Sequence, residues 1–387
     1  MSDLRKDQAP AARRVVSAIF FMCGTFVGMW ASRIPHVKAA TGLDESGFGL
    51  LLLVMACGAF AAFPLTGRLI DRIGAAPVSK ALAALNVIAF VLVGLAPSVP
   101  LLTAALFLAG FAFGSLDVSM NGWGTEVEAA LGRPVMSSYH GLFSLGAGTA
   151  ALIGAAAIQA GFSVALHFCL WSAAFVLPVV LFWRQPWQRM PVDTDRDRAP
   201  LFVLPKGPLV LAGLMALVAA LGEGAMTDWA ALYQIDALGY PEAVAPAAFT
   251  VFSAAMVVMR LSGDRIIARH GPVRVARWSG VVACAGCLLL VSGVNVWAVW
   301  AGSFVMGLGY AVLFPLAMSR AANDPHMSRG SALAAVATLG YGAFLFGPPL
   351  LGFIGDLLSL RASFVAVTLL TMAIPLLAVS LRPGART

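Results

Sequence analysis

Apolar stretches of about twenty residues recur twelve times along this 387-residue chain, separated by short polar turns. A helix rises about 1.5 Å per residue, so about twenty residues cross a hydrocarbon core about 30 Å thick. A water-soluble domain has no use for so many segments of that length. Hydrophobic residues make up 60% of the chain and charged residues 11%, with a mean hydropathy of +0.88. The sequence predicts an all-α membrane protein of twelve transmembrane helices.

The spans are expected at about 15–33, 45–67, 78–97, 101–123, 135–159 and 162–183, then 207–233, 244–260, 273–294, 296–320, 328–356 and 361–381. The longest polar interval, 184–206, reads as a linker between a bundle at 1–183 and a bundle at 207–387. Asp193, Asp195 and Asp197 alternate there with basic residues, the pattern of a solvated connector rather than a metal site. The net charge of +7 does not mark a nucleic-acid binder, because the cations are scattered through loops without a basic-aromatic surface. It follows the positive-inside rule. With both termini cytoplasmic, 22 of the 25 Lys and Arg fall on the cytoplasmic side, and only Arg33, Lys38 and Arg361 lie opposite. The expected location is the cell (inner) membrane.

Cys23, Cys57, Cys169, Cys284 and Cys287 all lie within expected spans. Cys284-Ala-Gly-Cys287 has the CxxC form but no second ligand pair near it, so packing is the reading and no disulfide or metal is implied. Arg13-Arg14 ahead of an apolar run has the look of a signal peptide, but no small-residue cleavage site follows, and the run is read as an uncleaved first span. No Walker loop, zinc-protease motif or nucleophile elbow is present. The chain is not expected to be an enzyme or to carry a cofactor.

The sequence also repeats. Gly67-Arg68-Leu69-Ile70-Asp71-Arg72-Ile73-Gly74 follows the second span, and Gly263-Asp264-Arg265, ending in Arg269-His270-Gly271, follows the eighth. Gly74 and Gly271 are 197 residues apart, as are Pro178 and Pro375, and Trp30 and Trp229 are 199 apart. Near-constant offsets point to duplicated six-helix halves, one architecture for alternating access.

Residues Gly67–Gly74 resemble the G-x-L-x-D-R-x-G signature between helices 2 and 3 of the major facilitator superfamily, and the resemblance covers the whole chain. More narrowly, Arg33-Ile34-Pro35, Asp117 with Asn121, His140, Gly222-Glu223-Gly224 and Asp228-Trp229 resemble the MosC-like branch, distantly related to fucose-permease-type carriers. The resemblance implies the major facilitator fold of two pseudo-symmetric six-helix bundles. It further implies a monomeric secondary transporter, with a sugar- or polyol-like solute as the suggested cargo.

Charge inside a bilayer costs about 2.5–3.5 kcal/mol per group on insertion scales and needs a reason. Asp117 falls about sixteen residues into the fourth span, roughly 24 Å along it. Asn121 shares its face at i+4, Ser115 and Ser119 add polarity, and His140 lies at similar depth on the fifth span, a neighbour of the fourth in the family. An acid and an imidazole placed together can take and release a proton. The alternative is a structural hydrogen bond between the two helices. Glu223 sits between two glycines, which either let the helix open towards a solute or allow close packing. Trp229 and Tyr341 are candidates to line a solute cavity, and Gly347-Pro348-Pro349 is expected to break the eleventh span.

Arg33 is placed at the outer end of the first span. In the family the first and seventh helices face each other, so Arg33 with Asp228 or Glu223 is a candidate outer gate; solute binding and snorkelling to the headgroups are the alternatives. Gly67–Gly74 reads as a loop and a conformational latch. The resemblance sets Asp71 against the start of the eleventh helix, Ser328–Ser331, and lets Arg72 reach Glu126 or Glu128, with Arg260, Asp264 and Arg265 serving the other half. Ala75-Ala76-Pro77 replaces the customary basic pair after Gly74.

The sequence thus predicts a transporter of a small polar solute, coupled to protons and working by alternating access. An exporter of amphipathic compounds or metabolites stands as the alternative within transport, although the helix-5 glycine-proline signature of drug-proton antiporters is missing at Gly146-Ala147-Gly148-Thr149. A non-transporting sensor or a lipid scramblase is the alternative outside it.

Overall fold

The computed structural model describes residues 2–132, 135–187, 205–325, 327 and 329–382; most of the expected linker, 188–204, lies outside them. Twelve helices are long and apolar enough to cross a membrane. They are α1 (Ser2–Thr41), α2 (Glu45–Ile73), α3 (Ala75–Leu95), α4 (Val99–Leu131), α5 (Met136–Gln159), α6 (Val164–Trp183), α7 (Pro208–Asp228), α8 (Pro246–His270), α9 (Pro272–Ser292), α10 (Val296–Tyr310, continued by Leu313–Ala322), α11 (Arg329–Leu357) and α12 (Leu360–Thr371, continued by Ile374–Leu377). A turn at Ala230–Leu232 and a π-helical turn at Tyr233–Ala237 follow α7. Helices satisfy their own backbone groups, the condition a hydrocarbon solvent imposes. Large apolar side chains such as Leu177, Leu288 and Leu369 are exposed, as expected of a surface meant for lipid.

Two compact units divide the chain, Met1–Leu43 with Leu50–Asp195, and Asp44–Gly49 with Arg196–Thr387. Within the first, α1 packs along α5 and more briefly along α4, while α3 packs on α4 and α6. Within the second, α7 packs along α11 and α9 packs on α10 and α12. Corresponding helices thus make corresponding contacts. Small residues permit the close approaches: a Cβ on Gly24 or Gly28 of α1 would run into the carbonyl oxygen of Phe143 or Ala147 on α5.

The two offset glycines have one backbone conformation. Gly74 (φ 94°, ψ 158°) precedes α3 and Gly271 (φ 79°, ψ 154°) precedes α9, in a region open almost only to glycine. Gly67–Ile73, expected as a loop, is instead the last stretch of α2, and Gly263–His270 the last of α8; Gly74 and Gly271 alone make the corners. Equivalent serines, Ser163 and Ser359, cap α6 and α12 by accepting the N–H of Leu166 and Ala362.

Proline sets two of the breaks. Pro315 and Pro375 lack an N–H and crowd the carbonyl four residues back, at Ala311 and Thr371, where α10 and α12 are interrupted. The break expected at Gly347-Pro348-Pro349 does not occur: α11 runs through both buried prolines. The seventh span breaks at Trp229.

Candidate functional site

In the first unit, Asn121 Nδ2 donates to the Asp117 carbonyl at 2.8 Å and to its carboxylate Oδ1 at 3.2 Å, the i+4 pairing that the spacing suggests. Two residues before Asp117, Ser115 of α4 is hydrogen-bonded to Thr66 of α2 at 2.9 Å, both buried. His140 sits edge-on to Phe20 of α1, with ring centroids 5.2 Å apart. Helices α4 and α5 meet only briefly, because both pack on α1. The two helices are neighbours, as expected, but each makes its larger contact with α1.

Arg33 differs most from expectation. Helix α1 continues to Thr41, so Arg33 does not end it, and its side chain is fully buried. Its Nε donates to His167 Nδ1 of α6 at 3.0 Å, which removes snorkelling as its role. His167 was not singled out from sequence; a histidine inside an apolar span was the only signal.

At the other end of this unit, Asp71 and Arg72 are exposed at the end of α2. Glu128, one expected partner of Arg72, accepts the N–H of Val135 and Met136 at 2.6 and 2.9 Å, fixing the turn into α5. Glu126 accepts Trp187 Nε1–H at 2.7 Å. Lys80 Nζ donates to the Gln185 carbonyl at 2.6 Å and lies 5.4 Å from the Trp123 ring. Glu126 and Lys80 thus hold the chain leaving α6. The side chains of Asp264 and of 329–331, and Ser328 altogether, lie outside the described residues.

In the second unit Glu223 of α7 meets Arg260 of α8 at 3.5 Å, both side chains being largely buried. Glu223 was expected to serve protonation or solute contact, with Arg33 as a second-choice gate partner, and Arg260 to serve the latch with Asp264 and Arg265; the structure brings Glu223 and Arg260 together. Arg265 is exposed. The glycines beside Glu223 do not open the helix. A Cβ on Gly222 would run into the Tyr310 ring of α10, and one on Gly224 would lie 3.9 Å from Phe344 of α11. Tyr310 in turn hydrogen-bonds Thr371 of α12 and lies 3.7 Å from Cys287 Sγ, so the CxxC motif is absorbed in packing, with Cys287 buried.

The seventh span loses helical geometry one residue after Asp228. Trp229 is fully buried, edge-on to Phe48 of the segment Asp44–Gly49, and its Nε1–H has no acceptor among the described residues. A narrow cavity with room for about one water lies beside Asp228 and Trp229, walled by Leu221, Gly224, Phe344 and Pro348. Tyr341 stacks obliquely between Phe314 and Phe344, at 6.0 and 6.4 Å. Glu223 and Asp228 thus lie on α7 with Trp229 at its end, and Phe344 is the aromatic that α11 presents to the cavity, which Tyr341 does not line. No group of three metal-ligating side chains occurs among the described residues.

Residues 15–326 and 247–387 match the model of the Major Facilitator Superfamily. The chain is 41% identical to the uncharacterized transporter y4wD of Sinorhizobium fredii, over 94% of this chain and 97% of that protein. It is 29% identical to the membrane protein MosC of Rhizobium meliloti, over 92% and 88%. Its fold is like that of the nucleoside transporter NupG, with a TM-score of 0.74 at 10% identity over 96% and 99% of the two chains. A bacterial homolog of the human lysosomal transporter Spinster gives the same TM-score at 12% identity, covering 96% of each chain.

Proposed function

The chain belongs to the major facilitator superfamily and is a multi-pass membrane transporter of the secondary type, not an enzyme; from this premise we propose that it moves a small polar solute by alternating access, driven by protons through Glu223. The Glu223–Arg260 pair carries this reading. It joins an acid to a permanent cation between two membrane-spanning helices, where charge is retained only for a purpose. Protonating Glu223 discharges the pair and leaves Arg260 to another partner, so a proton changes what the helix α7–α8 contact prefers. Asp117 with Asn121, and His140, form the polar site of the other unit. Asp228, Trp229 and Tyr341 contact the solute, with the indole N–H supplying a donor for a hydroxyl.

Likeness to the MosC-like branch supports a sugar- or polyol-like solute; the distant fold neighbours carry no substrate assignment. The charge bias of the loops supports an inner-membrane location with both termini cytoplasmic. The corners at Gly74 and Gly271, with Gly67, Asp71, Arg72 and Glu126 in one unit and Asp264 and Arg265 in the other, act as the gating elements of the cytoplasmic side. Arg33, bonded to His167, is a buried cation of the first unit.

The test is a proteoliposome assay with imposed pH gradients and a panel of sugars and polyols. Wild type accumulates at least one panel member in response to the gradient. Glu223→Gln and Asp117→Asn lose that response. Identical behaviour of wild type and both variants towards every gradient and solute contradicts the proposal.

A further inference from the structure

The turn between α8 and α9 carries an unusual concentration of cations. Arg265, Arg269, Arg274 and Arg277 fall with His270 within thirteen residues, and the one carboxylate beside them in sequence, Asp264, precedes the run. All four arginines are exposed. No hydrogen bond or ion pair joins any of them to another described residue. His270, Arg274 and Arg277 line an open recess of about 360 Å³ around Gly271 and Pro272. Like charges gathered in this way repel each other and lower stability unless a counter-charge sits among them.

The duplication shows that the cluster is specific to this half. At the offset of 197 residues, Arg265, Arg269 and Arg277 correspond to Arg68, Arg72 and Lys80, whereas His270 and Arg274 replace Ile73 and Pro77, and Ala268 replaces Asp71. The second copy has therefore gained one permanent cation, Arg274, and an imidazole, His270, while its acid has moved from the position of Asp71 to Asp264, at the start of the cluster. The fate of the shared position differs too. Lys80 is buried and bonded to the Gln185 carbonyl, while Arg277 is left exposed beside the recess.

Next to the cations the surface turns apolar. Trp278 is 48% exposed and sits edge-on to His270 with ring centroids 5.0 Å apart. Leu261 and Val281 are each 59% exposed on the helices leading away. A Trp at the boundary between a basic recess and an exposed aliphatic surface marks the headgroup level of a bilayer. A ligand matching both parts has a phosphate at one end and acyl chains at the other.

We propose that this recess binds the headgroup of an anionic glycerophospholipid, with the phosphate among His270, Arg274 and Arg277 and the chains along Trp278 and Val281. Basic recesses between membrane helices are suited to such headgroups, and clustered Lys or Arg attract anionic lipid cumulatively. Arginine supplies a planar fork of donors for phosphate oxygens. Zwitterionic lipid offers the same phosphate but brings its own ammonium into the cluster, so the site discriminates by net charge.

Native mass spectrometry of the detergent-solubilised full chain, titrated with phosphatidylglycerol or phosphatidylcholine, tests the site. The expected result is a tightly retained phosphatidylglycerol that phosphatidylcholine does not replace. Arg274→Gln with Arg277→Gln weakens retention roughly 30-fold, two surface charges' worth, and Arg274→Lys with Arg277→Lys preserves most of it. A thermal melt of each variant alongside reports folding: phosphatidylglycerol raises the midpoint of wild type and of the Lys variant but not of the Gln variant. Equal retention by wild type and the Gln variant overturns the proposal. Displacement of the lipid by millimolar inorganic phosphate also overturns it, in favour of a site for free anions.

Discussion

At the residue scale the decisive facts are two partnerships. Arg33 with His167 places a cation and an imidazole in a fully buried setting in the first unit. A hydrogen bond to a charged group contributes about 1.5–3 kcal/mol, and an orphaned buried donor costs comparably. His167→Ala should therefore lower the thermal midpoint of the purified protein well below wild type, and His167→Gln, which keeps an acceptor, should recover a good part of the loss. Glu223 with Arg260 is the second. A double-mutant cycle on Glu223→Gln and Arg260→Gln should give a coupling of about 1–2 kcal/mol in stability, in the range typical of directly paired groups; additive effects would show that the 3.5 Å contact does no energetic work. Neither partnership was legible in the sequence. The apolar setting announced that Arg33, Asp117 and Glu223 needed a reason, but partner choice depends on which way each helix face turns. His167 is 134 residues from Arg33, and no local pattern links them.

Elements were more legible, because their signals are local. Hydropathy located all twelve spans, and the shared offset of Gly74 and Gly271 reappears as a shared backbone conformation. Gly74→Ala or Gly271→Ala should each destabilise by about 1–3 kcal/mol, the strain of a side chain in that region, as read from melting of each variant. Packing glycines behave differently: Gly28→Leu should abolish folded protein in size-exclusion profiles, since even a Cβ meets the α5 backbone, whereas Gly342→Ala, with nothing within 4 Å, should be neutral. Helix ends were misjudged where polar residues continue a helix past the apolar run. Lys38 and Thr41 are helical for this reason, and so is the motif at Gly67–Ile73. The prolines show the limit of a local rule. Pro315 and Pro375 interrupt their helices, but Pro348 and Pro349 do not, nor does Pro178, the repeat equivalent of Pro375, inside α6.

For the whole molecule, duplication is the organising fact. Two units with matched contacts, α1 on α5 and α7 on α11, carry unlike polar groups: Asp117 with Asn121 in one, Glu223 with Arg260 in the other. The account assigns the proton to the second unit. Both termini are expected in the cytoplasm, so reporter fusions at residues 1 and 387 should be active only as cytoplasmic reporters; a periplasmic signal from either would reverse the assignment of gates. The most direct test of the central claim is proton movement itself. Proteoliposomes with an internal pH dye, given a transported solute without any imposed gradient, should show solute-evoked pH change for wild type and none for Glu223→Gln, while the variant still exchanges labelled for unlabelled solute. An equal pH change in both proteins, or its absence in wild type during transport, would contradict the claim that Glu223 couples protons to the solute.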